Sequence, residues 1–421
     1  MKDEIEEPSE PRARGRLWVV SELYYPEETS TGYYLTKIAE GLVNQFEIKV
    51  ICGQPNYFRR GTRAPRREIH KDVEIYRVTS TTFDKNIILL RLLNMVTLCA
   101  SVFLTGLRRF RAGDKVLVVT TPPMLPFAVA AASLVRGCEY TLLIHDNYPE
   151  LAIAVGTIKK RSMLVSLVGH ANRWLYKYAS RIIVVGRDMK VLLEKKTRGL
   201  DIPIVAIPNW AELETVVPAP RSGNALLKEL GLVDKFVLLY AGNMGRPNDL
   251  ETIVEAAIQL RSKTQIHFIF LGSGAKKRWL EDEVENQKLD NVTILEPRPR
   301  ADQVIFLNAC DVALVSLVEG MLGVSMPSRT YNILAAGKPI LALTEEGSEI
   351  SHVIHEEHVG KTVRPNDISG FIDAVEELRD LGDQLAEMGK RARRAAANKY
   401  SLELAISRYR SSLSSLRYEN D

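Results

Sequence analysis

The chain has 421 residues, 46% of them hydrophobic, with a formal net charge of +4 at pH 7; that length exceeds what one core organises and predicts two domains of about 200 residues each. Its four cysteines, Cys52, Cys99, Cys138 and Cys310, lie far apart with no CxxC pair, which excludes a disulfide framework and a cysteine zinc site and fits a reducing cytosol. The net charge hides an asymmetry, because residues 51–208 hold 25 Lys and Arg against 11 Asp and Glu, a balance of +14 that leaves −10 for the rest.

Residues 1–14, MKDEIEEPSEPRAR, are charged and contain proline with almost nothing to bury, so a disordered head is expected there and not a signal peptide. Over 15–209, short apolar runs alternate with helical patterns: LWVVSE, GYYLTKIAEGLVNQF and IKVIC, then KVLVVTT, YTLLIHD and RIIVVG. That rhythm predicts βαβ units and a parallel sheet. The Arg-rich stretch FRRGTRAPRREIHK carries no aromatic ladder, and no nucleic-acid-binding motif is recognisable. The basic half therefore points to a membrane surface or a phosphorylated acceptor, or else to a solvated basic loop.

Ile87–Leu107, IILLRLLNMVTLCASVFLTGL, has about the length of a membrane span and carries Arg91 as its only charge. A strand of the same sheet follows directly, so a crossing here would cut the domain in two. Ile87–Phe110 reads instead as a helix in the headgroup region with its arginines on phosphates, or as a helix whose apolar residues cover the sheet. A poorly patterned, Pro-containing stretch at 210–222 marks a linker. The rhythm restarts over 223–399 with KFVLLYAG, QIHFIFLG, NVTIL, DVALVSL, KPILAL and GKTV, and a tail helix near 400–418 is expected to pack back on the first domain. Two doubly wound sheets joined by one linker create a cleft between two sets of strand carboxyl ends, where such sheets bind ligands.

Four strand-end loops carry candidate chemistry. In SELYYPEETSTGYYLTKIAE, Ser30, Thr31 and Gly32 open a helix whose free N–H groups favour an anion, with Gly32 admitting a close approach; the plain alternative is a capped turn. In YAGNMGRPNDLETIVEAA, Gly242 and Gly245 bracket a turn, Asn243 offers a donor and Arg246 a cation. In GVSMPSRTYNILAAGKP, Pro327 and Ser328 start a helix that Gly337 stops, and Arg329 stands in the first turn, where the helix dipole disfavours a cation unless an anion lies beside it. In LLIHDNYPELAIAVG, a strand ends in His145 and Asp146, with Tyr148 following; Asp146 suits a base or a grip on an acceptor hydroxyl, and His145 is alternatively a satisfied strand-end residue. The His352, His355 and His358 series drifts round a helix, so no metal site is expected. LGSGAKKRW lacks the acidic partner of a dinucleotide fingerprint and is assigned to the second-domain cleft.

Taken in order, YYPEETSTGYYLTKIAEGL, CGQPNYFRRG, DNYPELAIAVG, IPNW, YAGNMGRPNDLETIVEAA, LGSG and SMPSRTYNILAAGKPI resemble the GT-B glycosyltransferases, family 4. The likeness is greatest to the branch that builds bacterial surface polysaccharides, lipopolysaccharide included, of the L-fucosamine transferase type. The resemblance implies two Rossmann-like doubly wound α/β domains facing across a cleft, and metal-independent, retaining transfer of a hexose-type or N-acetylhexosamine sugar. The donor would be a nucleotide-diphosphate sugar, with no cofactor. The acceptor would be a polyprenyl-diphosphate-linked saccharide, met by a cytoplasmic protein at the anionic inner face of the membrane.

By position, Thr31 and Gly32 resemble the loop covering the diphosphate, and Gly242, Asn243 and Arg246 the phosphate turn. Ser325, Pro327, Ser328 and Arg329 resemble the helix start beside the leaving phosphate. Many members carry two glutamates where this chain has Val324 and Asn332, and an Arg and a Lys where it has Asn243 and Asn248. Asn332 then supplies a neutral acceptor to ribose, Arg246 and Arg329 take the phosphate charge with Asp146 as the third catalytic group, and Glu319 reaches the sugar only through a rearranged loop. Two rival readings are a degenerate nucleotide-sugar-binding subunit and a sugar-nucleotide epimerase on the same architecture.

Overall fold

The computed structural model describes residues 15–55, 63–83 and 87–414. The expected head at 1–14 and the last residues of the expected tail helix lie outside the described residues. The chain divides into two compact units, Met1–Thr141 and Leu142–Asp421.

The first unit runs β1 (Arg16–Val20), α1 (Ser30–Gly41), β2 (Glu47–Cys52), β3 (Arg67–His70), β4 (Val73–Arg77), α2 (Ile88–Arg109), β5 (Lys115–Val119) and α3 (Leu125–Arg136), and β6 (Glu139–Ile144) passes out of it. Its strands lie in the order β3-β4-β2-β1-β5. β1 is parallel to both β2 and β5, and Leu17 to Val20 are buried, as expected for a central strand covered on both faces. The Arg-rich stretch read as a loop ends in an antiparallel hairpin, β3 on β4. Lys71 and Asp72 both take positive φ, 47° and 61°, the requirement of a two-residue type I′ turn, and no Asn-Gly pair advertised it.

α2 does not lie mainly on the sheet. It packs on α3, where a Cβ at Gly106 would stand 3.0 Å from Ala132 Cβ. Among the described helices it alone is long and apolar enough to cross a membrane, and only 22% of its most apolar window is buried.

The second unit continues with α4 (Glu150–Ala154), α5 (Met163–Tyr178), β7 (Arg181–Val184), α6 (Arg187–Lys196), β8 (Ile204–Ala206), α7 (Ala225–Leu230), β9 (Phe236–Asn243), α8 (Leu250–Gln259), β10 (Ile266–Ser273), α9 (Lys277–Asn286), β11 (Val292–Leu295) and α10 (Gln303–Leu307). It ends with β12 (Val312–Ser316), α11 (Arg329–Ala335), β13 (Ile340–Leu343), α12 (Glu349–Glu357), β14 (Gly360–Val363), α13 (Ile368–Asp380), α14 (Asp383–Lys399) and α15 (Leu402–Ser414). A parallel sheet in the order β11-β10-β9-β12-β13-β14 packs Leu238, Tyr240, Phe268, Phe270, Leu314 and Phe371 into one core. The strand order reverses between β9 and β12, and ligands of doubly wound sheets bind at the carboxyl ends beside such a reversal.

The expected linker is not a loose tether. Arg393 of α14 donates to the carbonyls of Leu213 at 3.0 Å, Val216 at 2.8 Å and Ala335 at 2.9 Å. Asn308 donates to Val217 O at 2.9 Å and accepts from Ala219 N at 3.0 Å.

Candidate functional site

At the reversal point of the second unit's sheet, β9 ends in Gly242 and Asn243. The guanidinium of Arg329, the first residue of α11, lies over the Tyr240 ring, 4.5 Å from its centroid. Gly242 makes this possible: its φ is +146°, and a Cβ there would stand 2.9 Å from Arg329 Cζ. Asn248 steadies the turn, its Nδ2 donating to Asn243 O at 3.0 Å and Gly245 O at 3.3 Å, while its Oδ1 accepts from Arg329 Nη2 at 3.5 Å. Tyr240 Oη donates to the same Asn243 carbonyl at 2.7 Å. Arg329 Nη1 is buried with no hydrogen-bond partner, and Arg329 pairs with no carboxylate among the described residues. A half-buried guanidinium with one buried, unpartnered nitrogen, laid on an aromatic face and left without a counter-charge, is a site for an anion.

The loop between β12 and α11 is held from several directions. Glu345 accepts from Gly320 N at 2.9 Å and Leu322 N at 3.0 Å. Asp188, at the start of α6, accepts from Gly323 N at 3.0 Å. Asn147 donates its backbone N–H to Val324 O and its Nδ2 to Gly323 O, both at 2.8 Å. Asp146 and Ser325 form an isolated antiparallel bridge, and the Ser325 hydroxyl donates to the Asp146 carboxylate. Burial pushes the Asp146 carboxyl up to about 6, against which the Ser325 bond pulls it down. Burial also pushes His145 down to about 4, so it is neutral at pH 7. The Tyr148 carbonyl accepts from Asn172 Nδ2 at 2.8 Å and Lys196 Nζ at 3.0 Å.

The structure thus brings Asp146 to Ser325, and Arg329 to Gly242 and the Asn243 turn, with Pro327 and Ser328 leading into α11. Asn243 and Arg246 are exposed at that turn, and Arg246 pairs with no described carboxylate. Asn332 is engaged within the protein. Its Oδ1 accepts from Glu212 N at 2.9 Å, and its Nδ2 donates to Glu212 Oε1 at 2.7 Å and Gln303 Oε1 at 2.5 Å. Because Arg300 also pairs with Glu212, the position where many members carry a carboxylate instead pins the linker to α11. Val324 is buried and Glu319 exposed.

In the first unit, Thr29 is the N-cap of α1, accepting from Gly32 N, and Thr31 sits in its first turn. What approaches Gly32 is backbone, since a Cβ there would meet Glu27 O at 2.7 Å. Among the described residues no three His, Cys, Asp or Glu side chains gather as metal ligands; His355 bonds Thr362 Oγ1 at 3.1 Å, and His358 is the left-handed C-cap of α12. LGSG ends β10, where Gly272 is paired with Gly242 of β9.

Tyr240 and Asn147 lie within the quoted stretches but are not singled out there, and Asp188 and Glu345 lie in no motif. Tyr240 reads as an ordinary strand residue, and the carboxylates find backbone N–H groups far away in sequence.

Known proteins agree with this geometry. Residues 30–210 match the family described as glycosyl transferase 4-like domain, and residues 225–395 match glycosyl transferases group 1. A Pseudomonas aeruginosa protein described as a probable glycosyltransferase, WbjE, is 33% identical over 401 residues, 94% of this chain and 96% of that one. An Escherichia coli K12 protein described as a colanic acid biosynthesis glycosyl transferase, WcaI, is 25% identical over 368 residues, covering 84% and 89%. Among solved structures, Anabaena HepE in complex with UDP and glucose has a TM-score of 0.72 at 14% identity, covering 96% of this chain and all of that one.

Proposed function

Results

Sequence analysis

The chain has 421 residues, 46% of them hydrophobic, with a formal net charge of +4 at pH 7; that length exceeds what one core organises and predicts two domains of about 200 residues each. Its four cysteines, Cys52, Cys99, Cys138 and Cys310, lie far apart with no CxxC pair, which excludes a disulfide framework and a cysteine zinc site and fits a reducing cytosol. The net charge hides an asymmetry, because residues 51–208 hold 25 Lys and Arg against 11 Asp and Glu, a balance of +14 that leaves −10 for the rest.

Residues 1–14, MKDEIEEPSEPRAR, are charged and contain proline with almost nothing to bury, so a disordered head is expected there and not a signal peptide. Over 15–209, short apolar runs alternate with helical patterns: LWVVSE, GYYLTKIAEGLVNQF and IKVIC, then KVLVVTT, YTLLIHD and RIIVVG. That rhythm predicts βαβ units and a parallel sheet. The Arg-rich stretch FRRGTRAPRREIHK carries no aromatic ladder, and no nucleic-acid-binding motif is recognisable. The basic half therefore points to a membrane surface or a phosphorylated acceptor, or else to a solvated basic loop.

Ile87–Leu107, IILLRLLNMVTLCASVFLTGL, has about the length of a membrane span and carries Arg91 as its only charge. A strand of the same sheet follows directly, so a crossing here would cut the domain in two. Ile87–Phe110 reads instead as a helix in the headgroup region with its arginines on phosphates, or as a helix whose apolar residues cover the sheet. A poorly patterned, Pro-containing stretch at 210–222 marks a linker. The rhythm restarts over 223–399 with KFVLLYAG, QIHFIFLG, NVTIL, DVALVSL, KPILAL and GKTV, and a tail helix near 400–418 is expected to pack back on the first domain. Two doubly wound sheets joined by one linker create a cleft between two sets of strand carboxyl ends, where such sheets bind ligands.

Four strand-end loops carry candidate chemistry. In SELYYPEETSTGYYLTKIAE, Ser30, Thr31 and Gly32 open a helix whose free N–H groups favour an anion, with Gly32 admitting a close approach; the plain alternative is a capped turn. In YAGNMGRPNDLETIVEAA, Gly242 and Gly245 bracket a turn, Asn243 offers a donor and Arg246 a cation. In GVSMPSRTYNILAAGKP, Pro327 and Ser328 start a helix that Gly337 stops. Arg329 stands in its first turn, where the helix dipole disfavours a cation unless an anion lies beside it. In LLIHDNYPELAIAVG, a strand ends in His145 and Asp146, with Tyr148 following; Asp146 suits a base or a grip on an acceptor hydroxyl, and His145 is alternatively a satisfied strand-end residue. The His352, His355 and His358 series drifts round a helix, so no metal site is expected. LGSGAKKRW lacks the acidic partner of a dinucleotide fingerprint and is assigned to the second-domain cleft.

Taken in order, YYPEETSTGYYLTKIAEGL, CGQPNYFRRG, DNYPELAIAVG, IPNW, YAGNMGRPNDLETIVEAA, LGSG and SMPSRTYNILAAGKPI resemble the GT-B glycosyltransferases, family 4. The likeness is greatest to the branch that builds bacterial surface polysaccharides, lipopolysaccharide included, of the L-fucosamine transferase type. The resemblance implies two Rossmann-like doubly wound α/β domains facing across a cleft, and metal-independent, retaining transfer of a hexose-type or N-acetylhexosamine sugar. The donor would be a nucleotide-diphosphate sugar, with no cofactor. The acceptor would be a polyprenyl-diphosphate-linked saccharide, met by a cytoplasmic protein at the anionic inner face of the membrane.

By position, Thr31 and Gly32 resemble the loop covering the diphosphate, and Gly242, Asn243 and Arg246 the phosphate turn. Ser325, Pro327, Ser328 and Arg329 resemble the helix start beside the leaving phosphate and sugar. Many members carry two glutamates where this chain has Val324 and Asn332, and an Arg and a Lys where it has Asn243 and Asn248. Asn332 then supplies a neutral acceptor to ribose, and Arg246 and Arg329 take the phosphate charge, with Asp146 as the third catalytic group. Glu319 reaches the sugar only through a rearranged loop. Two rival readings are a degenerate nucleotide-sugar-binding subunit and a sugar-nucleotide epimerase on the same architecture.

Overall fold

The computed structural model describes residues 15–55, 63–83 and 87–414. The expected head at 1–14 and the last residues of the expected tail helix lie outside the described residues. The chain divides into two compact units, Met1–Thr141 and Leu142–Asp421.

The first unit runs β1 (Arg16–Val20), α1 (Ser30–Gly41), β2 (Glu47–Cys52), β3 (Arg67–His70), β4 (Val73–Arg77), α2 (Ile88–Arg109), β5 (Lys115–Val119) and α3 (Leu125–Arg136), and β6 (Glu139–Ile144) begins in it. Its strands lie in the order β3-β4-β2-β1-β5. β1 is parallel to both β2 and β5, and Leu17 to Val20 are buried, as expected for a central strand covered on both faces. The Arg-rich stretch read as a loop ends in an antiparallel hairpin, β3 on β4. Lys71 and Asp72 both take positive φ, 47° and 61°, the requirement of a two-residue type I′ turn, and no Asn-Gly pair advertised it.

α2 does not lie mainly on the sheet. It packs on α3, where a Cβ at Gly106 would stand 3.0 Å from Ala132 Cβ. Among the described helices it alone is long and apolar enough to cross a membrane, and only 22% of its most apolar window is buried.

The second unit continues with α4 (Glu150–Ala154), α5 (Met163–Tyr178), β7 (Arg181–Val184), α6 (Arg187–Lys196), β8 (Ile204–Ala206), α7 (Ala225–Leu230), β9 (Phe236–Asn243), α8 (Leu250–Gln259), β10 (Ile266–Ser273), α9 (Lys277–Asn286), β11 (Val292–Leu295) and α10 (Gln303–Leu307). It ends with β12 (Val312–Ser316), α11 (Arg329–Ala335), β13 (Ile340–Leu343), α12 (Glu349–Glu357), β14 (Gly360–Val363), α13 (Ile368–Asp380), α14 (Asp383–Lys399) and α15 (Leu402–Ser414). A parallel sheet in the order β11-β10-β9-β12-β13-β14 packs Leu238, Tyr240, Phe268, Phe270, Leu314 and Phe371 into one core. The strand order reverses between β9 and β12, and doubly wound sheets bind ligands at the carboxyl ends beside such a reversal.

The expected linker is not a loose tether. Arg393 of α14 donates to the carbonyls of Leu213 at 3.0 Å, Val216 at 2.8 Å and Ala335 at 2.9 Å. Asn308 donates to Val217 O at 2.9 Å and accepts from Ala219 N at 3.0 Å.

Candidate functional site

At the reversal point of the second unit's sheet, β9 ends in Gly242 and Asn243. The guanidinium of Arg329, the first residue of α11, lies over the Tyr240 ring, 4.5 Å from its centroid. Gly242 makes this possible: its φ is +146°, and a Cβ there would stand 2.9 Å from Arg329 Cζ. Asn248 steadies the turn, its Nδ2 donating to Asn243 O at 3.0 Å and Gly245 O at 3.3 Å, while its Oδ1 accepts from Arg329 Nη2 at 3.5 Å. Tyr240 Oη donates to the same Asn243 carbonyl at 2.7 Å. Arg329 Nη1 is buried with no hydrogen-bond partner, and no ion pair joins Arg329 to a carboxylate among the described residues. A half-buried guanidinium with one buried, unpartnered nitrogen, laid on an aromatic face and left without a counter-charge, is a site for an anion.

The loop between β12 and α11 is held from several directions. Glu345 accepts from Gly320 N at 2.9 Å and Leu322 N at 3.0 Å. Asp188, at the start of α6, accepts from Gly323 N at 3.0 Å. Asn147 donates its backbone N–H to Val324 O and its Nδ2 to Gly323 O, both at 2.8 Å. Asp146 and Ser325 form an isolated antiparallel bridge, and the Ser325 hydroxyl donates to the Asp146 carboxylate. Burial pushes the Asp146 carboxyl up to about 6, against which the Ser325 bond pulls it down. Burial pushes His145 down to about 4, so it is neutral at pH 7. The Tyr148 carbonyl accepts from Asn172 Nδ2 at 2.8 Å and Lys196 Nζ at 3.0 Å.

The structure thus brings Asp146 to Ser325, and Arg329 to Gly242 and the Asn243 turn, with Pro327 and Ser328 leading into α11. Asn243 and Arg246 are exposed at that turn. Asn332 is engaged within the protein. Its Oδ1 accepts from Glu212 N at 2.9 Å, and its Nδ2 donates to Glu212 Oε1 at 2.7 Å and Gln303 Oε1 at 2.5 Å. Arg300 also pairs with Glu212, so the position where many members carry a carboxylate here pins the linker to α11. Val324 is buried and Glu319 exposed.

In the first unit, Thr29 is the N-cap of α1, accepting from Gly32 N, and Thr31 sits in the first turn. What approaches Gly32 is backbone, since a Cβ there would meet Glu27 O at 2.7 Å. Among the described residues no three His, Cys, Asp or Glu side chains gather as metal ligands. His355 bonds Thr362 Oγ1 at 3.1 Å, and His358 is the left-handed C-cap of α12. LGSG ends β10, where Gly272 is paired with Gly242 of β9.

Tyr240 and Asn147 lie within the quoted stretches but are not singled out there, and Asp188 and Glu345 lie in no motif. Tyr240 reads as an ordinary strand residue, and the two carboxylates find backbone N–H groups far away in sequence.

Known proteins agree with this architecture. Residues 30–210 match the family described as glycosyl transferase 4-like domain, and residues 225–395 match glycosyl transferases group 1. A Pseudomonas aeruginosa protein described as a probable glycosyltransferase, WbjE, is 33% identical over 401 residues, 94% of this chain and 96% of that one. An Escherichia coli K12 protein described as a colanic acid biosynthesis glycosyl transferase, WcaI, is 25% identical over 368 residues, covering 84% and 89%. Among solved structures, Anabaena HepE in complex with UDP and glucose has a TM-score of 0.72 at 14% identity, covering 96% of this chain and 100% of that one.

Proposed function

Because the chain belongs to the GT-B glycosyltransferases, we propose that it moves a hexose or N-acetylhexosamine from a nucleotide-diphosphate donor to a polyprenyl-diphosphate-linked saccharide during surface polysaccharide synthesis. The observation that carries this reading is the stacked Arg329 guanidinium with its buried, unpartnered Nη1 at the carboxyl end of β9. It supplies fixed positive charge where a diphosphate leaving group gathers negative charge in the transition state. The UDP bound by HepE supports a nucleotide donor, and the colanic acid role described for WcaI supports a polysaccharide product.

The transfer is read as retaining and independent of a metal. The bond from the sugar's anomeric carbon to the β-phosphate oxygen breaks as a bond to the acceptor oxygen forms on the same face, and the acceptor's proton passes to the departing phosphate. Asp146, with a carboxyl at about 6, accepts a hydrogen bond from the acceptor hydroxyl and orients it, so no protein nucleophile is needed. Arg246 and Asn243 meet the phosphates from the exposed turn. Exposed Leu89, Leu93, Val96 and Leu104 on α2, followed by exposed Arg108 and Arg109, support peripheral attachment to an anionic leaflet, where a lipid-linked acceptor resides.

The test is a panel of UDP, GDP and TDP sugars offered with a short-chain polyprenyl-diphosphate saccharide, scoring binding by thermal shift and turnover by product analysis. Product that keeps the donor's anomeric configuration supports the reading. Binding without turnover would leave a nucleotide-sugar-binding subunit, and a changed sugar formed without acceptor would identify an epimerase.

A further inference from the structure

Helix α5, in the second unit, presents a surface that the transfer reaction does not use. Its buried residues are only Asn172, Leu175 and Tyr176. Its opposite side exposes Met163 at 91% and Leu167 at 66%, with Trp174 and Tyr178 also open to solvent. Spacings of four, seven and four residues line these up as one stripe along the helix, which exposed Leu164 widens. A helix that served only its own core would turn such residues inward.

The charges around the stripe are of one sign. From Leu151 to Arg187 the chain holds seven Lys and Arg and no Asp or Glu. Lys159, Lys160 and Arg161, just before the helix, are exposed, as are Arg173 and Lys177 beside the stripe. Trp174 and Tyr178 meet edge to face at 5.8 Å, and Lys177 Nζ lies 5.3 Å from the Tyr178 ring centroid. A second copy docking here would set like charge against like. An anionic bilayer satisfies every component: apolar side chains enter below the headgroups, Trp and Tyr sit at headgroup level, and the basic side chains reach up to lipid phosphates.

We infer that α5, with the basic segment before it, is a lipid-docking surface for an anionic membrane, separate from α2. The Tyr148 carbonyl, which follows Asp146 by two residues, accepts from Asn172 on the buried side of α5. Docking through α5 therefore holds the Asp146 segment close to the bilayer surface, a consequence that rests on the transferase reading, whereas the docking itself does not.

Purified full-length protein is titrated with phosphatidylcholine vesicles and with vesicles containing about one third phosphatidylglycerol. The variant Met163→Ser/Leu167→Ser/Trp174→Ser is expected to partition at least tenfold more weakly onto the anionic vesicles with an unchanged Tm. Lys159→Gln/Lys160→Gln/Arg161→Gln is expected to lose most of the salt-dependent binding. Brominated acyl chains quench the wild-type tryptophan emission, and Trp174→Phe removes that quenching. Partitioning of the Ser variant equal to wild type, or quenching that survives Trp174→Phe, overturns the inference, as does a lipid-free dimer that the Ser variant dissociates. Leu89→Ser/Leu93→Ser/Val96→Ser separates the two helices: if it alone abolishes binding, α2 stands and α5 falls. Transfer to a water-soluble acceptor analogue is unaffected by the α5 variants, so failure of docking and failure of the transferase reading remain distinguishable.

Discussion

Removing the Arg329 charge tests the site most directly. The guanidinium has one long hydrogen bond, to Asn248 at 3.5 Å, a ring face at 4.5 Å, and a buried Nη1 with no partner. A hydrogen bond to a charged group contributes roughly 1.5 to 3 kcal/mol, and about 1.4 kcal/mol is tenfold in rate. Arg329→Ala should therefore lower turnover by roughly tenfold to a hundredfold, the loss falling on kcat because phosphate charge grows as the sugar leaves. Arg329→Lys keeps the charge but loses the planar fork and the stack, and should recover only part of the activity. Stability supplies an independent reading. A half-buried cation with a buried, unpartnered nitrogen and no counter-charge costs folding free energy, so Arg329→Met should leave Tm unchanged or raise it while turnover falls. Initial rates with the preferred donor, alongside thermal denaturation without ligand, give both quantities. Unchanged turnover in Arg329→Ala refutes the assignment, and a Tm that drops together with turnover shows that the residue serves the fold.

Three further outcomes are expected. Asp146→Asn should lower turnover and remove an acid limb near pH 6 from the rate profile. Because the folded carboxyl is raised to about 6 from 3.8, the folded state binds a proton that the unfolded chain has released between those values. Ionised Asp146 therefore costs stability above that window, so Asp146→Asn should raise Tm at pH 7.5, with the gain closing as pH falls through it; a gain independent of pH would contradict the shift. Gly242→Ala places a methyl 2.9 Å from Arg329 Cζ on a backbone at φ +146°, and should reduce donor affinity measured by calorimetry by at least about tenfold, as the guanidinium must move; unaltered affinity would show that Arg329 does not meet the donor. Asn332→Glu, which restores the residue common in the family, sets a second carboxylate beside Glu212 and removes the donor to Gln303. It should lower stability in urea by roughly 1 to 3 kcal/mol, whereas no loss would show that Asn332 does not clamp the linker.

Much of the architecture was legible because its signals are local. Eleven of the strands follow the runs read from sequence, such as KFVLLYAG for β9 and QIHFIFLG for β10, since a strand buried on both faces must be continuously apolar. Arg329 was also legible, since a cation in the first turn of a helix opposes the dipole. The β3-β4 hairpin was not, because Lys-Asp takes positive φ only with the sheet to hold it.

What the sequence alone determined is the order of α/β units and the family. Tertiary structure decided the company each side chain keeps. It laid Arg329 on Tyr240, brought Asp146 to Ser325 across 179 positions of chain, and joined Asn332 to Glu212. Those partners lie far apart along the chain, and only the parallel crossovers that return each strand to a common edge bring them within hydrogen-bonding distance.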